Sequence, residues 1–360
     1  MHTESVLSSG IRVLTKAIPE SQSISIGFFT NVGLLQEPTE FNGIAHFLEH
    51  LCFKGTARRT AKEITEAVDM MGGQINAHTS REYTCYHILV LPQYLELGLD
   101  ILSDIYFNSQ LRDDDIQMEK GVVLEEINMV QDTPDDLIHD LFARNIWPES
   151  TMGNPILGTV DSVSAIDECG LKDFYQHYFQ PKNMLISIAG KVPANDEIIQ
   201  LLEKQISFDS QDSLVPFREQ LQDSSPSAKT HLVKKPIEQM HLCFGIPAVP
   251  LGHPDQMSFT LFSTLLGGSM SSRLFQSIRE QKGWAYSIYS YLSMYQKAGY
   301  LCIYGGLNKE RLWDSVELIQ DIAKGIVDDG VPDWELEKIK AQLKGQLVLG
   351  LESSSAWMQW

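Results

Sequence analysis

Apolar and polar positions alternate over residues 5–17, on either side of Ser8-Ser9-Gly10, and this period of two predicts a β-hairpin. Residues 23–33, beginning Ser-Ile-Ser-Ile-Gly-Phe-Phe, read as a further strand. The period then lengthens. Ile44, Phe47, Leu48 and Leu51 recur at helical spacing, with Gly43 before them and Gly55 after, and predict a helix over about 42–53 with its apolar stripe on a core. Thr60 with Glu63 forms a capping box for a helix that runs to about Met71 and ends at Gly72-Gly73. Gln74–Ser80 and Arg81–Val90 read as strands. Helices are predicted over about 93–109, 112–131, 134–147, 171–180 and 194–206, with a buried-looking strand at 183–190. Residues 207–228 are rich in Ser, Asp and Gln, contain Pro216 and Pro226, and read as a linker. Beyond it the pattern predicts a strand at 239–247, helices at 255–266 and within 267–280, paired strands at 285–294 and 299–305, and helices at about 309–328 and 333–351.

A chain of 360 residues is long for one domain, and two is the natural count. The 43% apolar content supports ordinary globular cores. No run of eighteen apolar residues is present, so no membrane span is expected. The N-terminus Met-His-Thr-Glu-Ser has neither a basic region nor an apolar signal core. The five cysteines, Cys52, Cys85, Cys169, Cys243 and Cys302, are odd in number and form no C-x-x-C, which fits a reducing compartment; a cytoplasmic location is expected. The net charge of −19 argues against nucleic acid and anionic membranes as partners and serves solubility first.

Chemistry concentrates in the 42–53 helix, at His46-x-x-Glu49-His50. Four residues apart on a helix, the two imidazoles lie on one face and can hold one metal ion. Glu49 falls near the same face, where a carboxylate can take a proton from a nearby water. The order is the inverted form of the zinc-protease H-E-x-x-H. The plain alternative is a solvated helix face with two surface histidines. Cys52, two residues past His50, points off that face and reads as a buried thiol.

His46-Phe-Leu-Glu-His50 followed by Phe53-Lys-Gly-Thr56 resembles the pitrilysin/insulinase family of zinc peptidases, which includes the mitochondrial processing peptidase and short bacterial relatives. The resemblance implies an α+β fold of two similar domains, each a mostly antiparallel sheet with helices on one face: 1–206 zinc-binding, 207–228 linker, 229–360 a metal-free second copy. It implies one Zn2+ per chain. Two histidines need a third protein ligand. The family takes it from a pattern like E-(R/K)-x-V-(I/V)-x-x-E, which places Glu126 as ligand and Glu119 as the carboxylate that orients a ligand histidine. Glu125 is the neighbouring competitor, about 100° away around the helix. Asn76 and Ala77 lie on the family's edge strand, where an extended peptide adds as a further strand. His78, on the same strand, reads as a wall residue. Gly153-Asn-Pro-Ile-Leu-Gly158 resembles a family loop, but Thr151-Met152 stands where the family usually has a histidine, so the loop is given no role. Arg279 and Tyr286 match an Arg and a Tyr that reach the active site from the opposite half, to hold a substrate carbonyl and to donate to an oxyanion.

The resulting expectation is a zinc endopeptidase acting on peptides or unfolded segments. Two copies would form a clamshell, with Arg279 and Tyr286 supplied by the partner. The rivals are a non-catalytic scaffold and a peptide-binding chaperone of the same fold. Leu351–Trp360 departs from the family: Trp357 stands where an Arg is expected, and relatives continue for several tens of residues. An early end is expected to leave the second domain's sheet incomplete.

Overall fold

A computed structural model describes residues 2–206 and 230–360; the linker expected at 207–228 lies outside the described residues. The described chain runs β1 (Thr3–Val6), β2 (Arg12–Ala17), β3 (Ile24–Thr30), α1 (Ile44–Cys52), α2 (Ala61–Met70), β4 (Gln74–Thr79), β5 (Thr84–Val90), α3 (Leu95–Phe107), α4 (Asp113–Asp132) and α5 (Pro134–Ile146). It continues with α6 (Val160–Ala165), α7 (Glu168–Tyr178), β6 (Met184–Gly190), α8 (Asn195–Gln205), β7 (Met240–Ala248) and α9 (Gln256–Gly267). After a π-helical stretch (Phe275–Gln281) come β8 (Ala285–Met294), β9 (Gly299–Leu307), α10 (Leu312–Asp329), α11 (Asp333–Gly350) and α12 (Ser354–Gln359). The fold is α+β. Its described residues divide into two compact units: 2–129, 154–206 and 348–360 form the first, 130–153 and 230–347 the second.

The first unit is built on a six-stranded sheet of order β1-β2-β6-β3-β5-β4. All its pairings are antiparallel except β2 with β6. Central β3 is covered on both faces, which is why it reads as nearly unbroken apolar sequence. Ile24, Ile26 and Phe28 enter the main core with Ile88 of β5, Ile186 of β6 and the apolar sides of α1 and α3. Ser25 and Gly27 face the other way, toward α12. There the hydroxyl groups of Ser354 and Ser355 each lie 2.9 Å from that of Ser25. A Cβ on Gly27 would fall 2.2 Å from Met358 Sδ, so a side chain at 27 would force the Met358 side chain out of its place on the sheet. α12 was not expected from the sequence. Ser353 caps it, accepting from Ala356 N–H at 3.0 Å, and it packs on β3 and β6.

Edge strand β4 is held on one side by β5 and leaves its other edge unpaired within the sheet. The expected capping box is present: Thr60 accepts from Glu63 N–H at 3.3 Å, and Glu63 accepts from Thr60 N–H at 2.8 Å.

The second unit carries a three-stranded antiparallel sheet, β7-β9-β8. Central β9 is buried along its whole length. Ile278, Leu301, Ile303, Ile319 and Ile339 share its core. Where a regular helix was expected within 267–280, the chain forms the π-helical stretch with Ile278 turned inward. The β8–β9 register slips between Ala285 and Ser287, so Tyr286 sits on a bulge and is 77% exposed. No described helix is long and apolar enough to cross a membrane.

Candidate metal centre

α1 is fixed at its start by two unusual residues. Gly43 adopts φ +95°, and a Cβ there would lie 2.6 Å from the Leu157 carbonyl oxygen, so glycine is required. The buried Glu37 carboxylate accepts from Gly43 N–H (2.8 Å), Ala45 N–H (3.0 Å) and the Asn42 side-chain amide (2.8 Å). It thereby satisfies N–H groups that a helix start leaves without partners. Burial pushes the Glu37 carboxyl up to about 8, against the pull of these donors. Ile44, Phe47, Leu48 and Leu51 are buried in the core as their spacing predicted. Cys52 is buried and unpaired, its thiol pushed up to about 12 by burial. The loop after the helix is anchored by Thr56, whose hydroxyl donates to buried Asp104 at 2.8 Å; Arg59 also binds Asp104, at 2.6 Å.

The other face of α1 presents His46, Glu49 and His50. The two imidazole rings have centroids 4.7 Å apart. Glu126 Oε2 of α4 lies 3.7 Å from His46 Nε2 and 3.6 Å from His50 Nε2. Donor atoms of His46, His50 and Glu126 all lie within 4.8 Å of one another. A tetrahedral zinc with ligands at about 2.0–2.1 Å separates neighbouring donors by about 3.4 Å, so the cluster is already near that spacing. One further observation fits a metal. Burial, with His50 beside it, lowers the pKa of His46 to about 4. It is therefore neutral near pH 7, the form that ligates. Glu125 is exposed, so of the two adjacent carboxylates only Glu126 joins the cluster.

Glu119, two turns before Glu126, is buried at 2% exposure. One of its oxygens lies 3.1 Å from His50 Nδ1, and the other is 2.5 Å from Lys54 Nζ. A carboxylate accepting at Nδ1 holds the ring with Nε2 toward Glu126. Glu49 accepts from the Thr79 hydroxyl at 2.6 Å. Burial raises its pKa, opposed by that hydrogen bond and by His50.

Asn76 and Ala77 lie on β4, as expected. Asn76 is exposed, and its side chain accepts from Ala77 N–H at 2.9 Å. His78 stays outside the ligand cluster and stacks near Tyr83 and His87, with ring centroids at 5.7 and 6.1 Å. In the second unit Arg279 and Tyr286 come together: the guanidinium lies 4.6 Å from the Phe275 ring and 5.6 Å from that of Tyr286. Glu37, Lys54 and Thr79 are the contributors that sequence reasoning missed. Lys54 stands within the Phe53-Lys-Gly-Thr56 stretch without having been given a role, and Thr79 lies two residues past Ala77 and so on the same strand face.

Comparison with known proteins gives the family. Residues 12–160 match the family described as "Insulinase (Peptidase family M16)", and 170–343 match "Peptidase M16 inactive domain". A Bacillus subtilis protein named uncharacterized zinc protease YmxG is 39% identical over 353 residues, 97% of this chain and 84% of its own length. A Streptomyces coelicolor protein, also named an uncharacterized zinc protease, is 35% identical over 98% of this chain and 78% of its own. Among solved structures, a protease from Helicobacter pylori superimposes with a TM-score of 0.88 at 25% identity, covering 99% of this chain and 87% of that one. A Pseudomonas fluorescens protein described as a peptidase M16 inactive domain shares the fold, with a TM-score of 0.91 at 18% identity, over 100% of this chain and 86% of its own. The chain belongs to the insulinase family of peptidases, M16.

Proposed function

We propose that the protein is a zinc-dependent endopeptidase acting on peptides or unfolded segments. The observation that carries this reading is the convergence of His46, His50 and Glu126 with Glu49 on the same helix face. Zinc, when bound, lowers the pKa of a water and polarises a carbonyl. Glu49 takes a proton from the attacking water and gives it to the leaving amine. Its raised pKa suits both halves of that exchange. Glu119 and Lys54 hold His50 in place. The free edge of β4, at Asn76 and Ala77, takes the substrate as an added strand, which grips backbone and tolerates varied side chains.

In this reading Arg279 and Tyr286 act on the site of a second copy, and the working form is a homodimer in the cytoplasm. Arg279 holds a substrate carbonyl, and Tyr286 donates to the developing oxyanion. Specific activity then falls on dilution below the dimer dissociation constant; a flat dilution series removes the dimer from the scheme.

The test is zinc content and cleavage of a quenched fluorescent peptide library, wild type beside Glu49→Gln. The expected result is about one zinc per chain in both, with cleavage by Glu49→Gln reduced by about 10²–10⁴-fold. Two zinc-loaded proteins that bind peptides and cut none would establish a peptide binder instead.

A further inference from the structure

We infer that Thr79 is a positioning residue for Glu49, coupling the register of a peptide strand on β4 to the placement of the base. The inference rests on the peptidase reading above and deepens it. Glu49 accepts the Thr79 hydroxyl at 2.6 Å and also a hydrogen bond from the Thr79 backbone N–H, so one residue of the strand holds the base by both its side chain and its main chain. Thr79 ends the strand whose residues Asn76 and Ala77 take the substrate, and it shares a face with Ala77.

The strand end and the helix are also tied together elsewhere. Ser80 and Arg81, just past β4, accept from Leu34 N–H (3.2 Å) and Leu35 N–H (2.9 Å). Two residues further along that loop, Glu37 binds the first turn of α1. Gly33 packs against Ser80 so closely that a Cβ would fall 2.4 Å from its carbonyl oxygen. The path Glu49–Thr79–Ser80–Leu34–Glu37–Ala45 is thus a closed mechanical loop. Its one side-chain link at the base itself is the Thr79 hydroxyl. A peptide that docks on β4 is measured against Glu49 through that link.

The experiment compares Thr79→Val and Thr79→Ser with wild type in the full chain. Three quantities are read: zinc affinity by chelator competition, kcat and KM on one peptide. Thr79→Val is expected to lower kcat about tenfold to a hundredfold, the cost of a misplaced catalytic group. KM and zinc affinity stay within about threefold, because ligands and strand edge are untouched. Thr79→Ser keeps the hydroxyl and holds kcat within about threefold of wild type. An unchanged kcat in Thr79→Val, an equal loss in Thr79→Ser, or loss of zinc with it overturns the inference.

A second measurement does not depend on cleavage. In unfolding of the metal-free chain, Thr79→Val is expected to lower the folding equilibrium constant about tenfold beside Glu49 and about twofold or less beside Glu49→Ala. Equal effects in the two backgrounds also overturn it. A wild type that holds zinc and cuts nothing defeats the peptidase reading, and this cycle then decides the link between Thr79 and Glu49 by itself.

Discussion

The same kind of layered unit occurs twice in this chain, and the two cores treat charge differently. Among the described residues, the buried carboxylates and imidazoles of the first unit are Glu37, His46, Asp104 and Glu119; in the second unit there is Glu335. Glu335 is neutralised by Arg273, at 2.6 Å. α1 presents two imidazoles and a carboxylate on its polar face, whereas the π-helical stretch 275–281 carries Arg279 and a buried Ile278. A sheet with helices on it needs none of those polar groups to be stable. Ionisable side chains in a low-dielectric interior cost free energy unless paired, so their accumulation around α1 marks the candidate functional site. The pairing of buried Glu335 with Arg273 is compatible with a structural role alone.

The strongest way to break this contrast is to remove a ligand. Glu126→Gln or His46→Ala should drop the zinc content after dialysis from about one per chain to near zero. Glu280→Gln, on the π-helical stretch, should leave it at about one. If a change in the second unit removed zinc equally, the contrast between the two units would be lost. A smaller effect is expected one step out from the metal. Glu119→Gln should weaken zinc binding about 10–100-fold, read by chelator competition, because His50 loses the acceptor that orients it. Arg273→Met should do the reverse. It leaves Glu335 buried without its partner and destabilises the protein by about 2 kcal/mol in urea unfolding, a value reduced for the partial exposure of Arg273. Zinc affinity should not move.

How much of this was legible depended on how far apart in sequence the partners lie. His46, Glu49 and His50 fall within five residues on one helix, so helical geometry alone placed them on one face. Glu126 was separable from Glu125 only through a family resemblance, since both stand on an acidic helix; the fold separates them by exposure. The Thr60–Glu63 cap was legible because it is local. Glu37 was not. Its partners are N–H groups five to eight residues away, and they converge only because Gly43 turns through a left-handed conformation. α12 was missed for the same reason on a longer scale: a six-residue helix has little period of its own, and its partners Ser25 and Gly27 lie some 330 residues back.

Glu37 also gives the finest test of the contrast, because its burial beside the start of α1 sets a pH dependence of its own. Its carboxyl is raised from 4.5 to about 8 in the folded protein. Below pH 4.5 it is neutral in both folded and unfolded chains and changes nothing. Between 4.5 and 8 the unfolded chain releases this proton first, so the unfolded state binds fewer protons and stability falls as pH rises. The slope is at most about 1.4 kcal/mol per pH unit, and it vanishes above 8, where both states are ionised. Glu37→Gln removes the slope. It keeps an acceptor for the Asn42 amide and Gly43 N–H but turns an NH2 toward Ala45 N–H, at a cost of about 1 kcal/mol that does not vary with pH. Every other titrating group is common to the two proteins, so the difference between their urea-unfolding free energies from pH 5 to 9 isolates Glu37. The wild-type value minus the variant's should fall steadily with pH, from near zero at pH 5 to below zero, and level above about pH 8. A wild-type-minus-variant difference that rises with pH would mean that the three donors, and not burial, set the charge of Glu37, and that the start of α1 is held by an ionised carboxylate throughout.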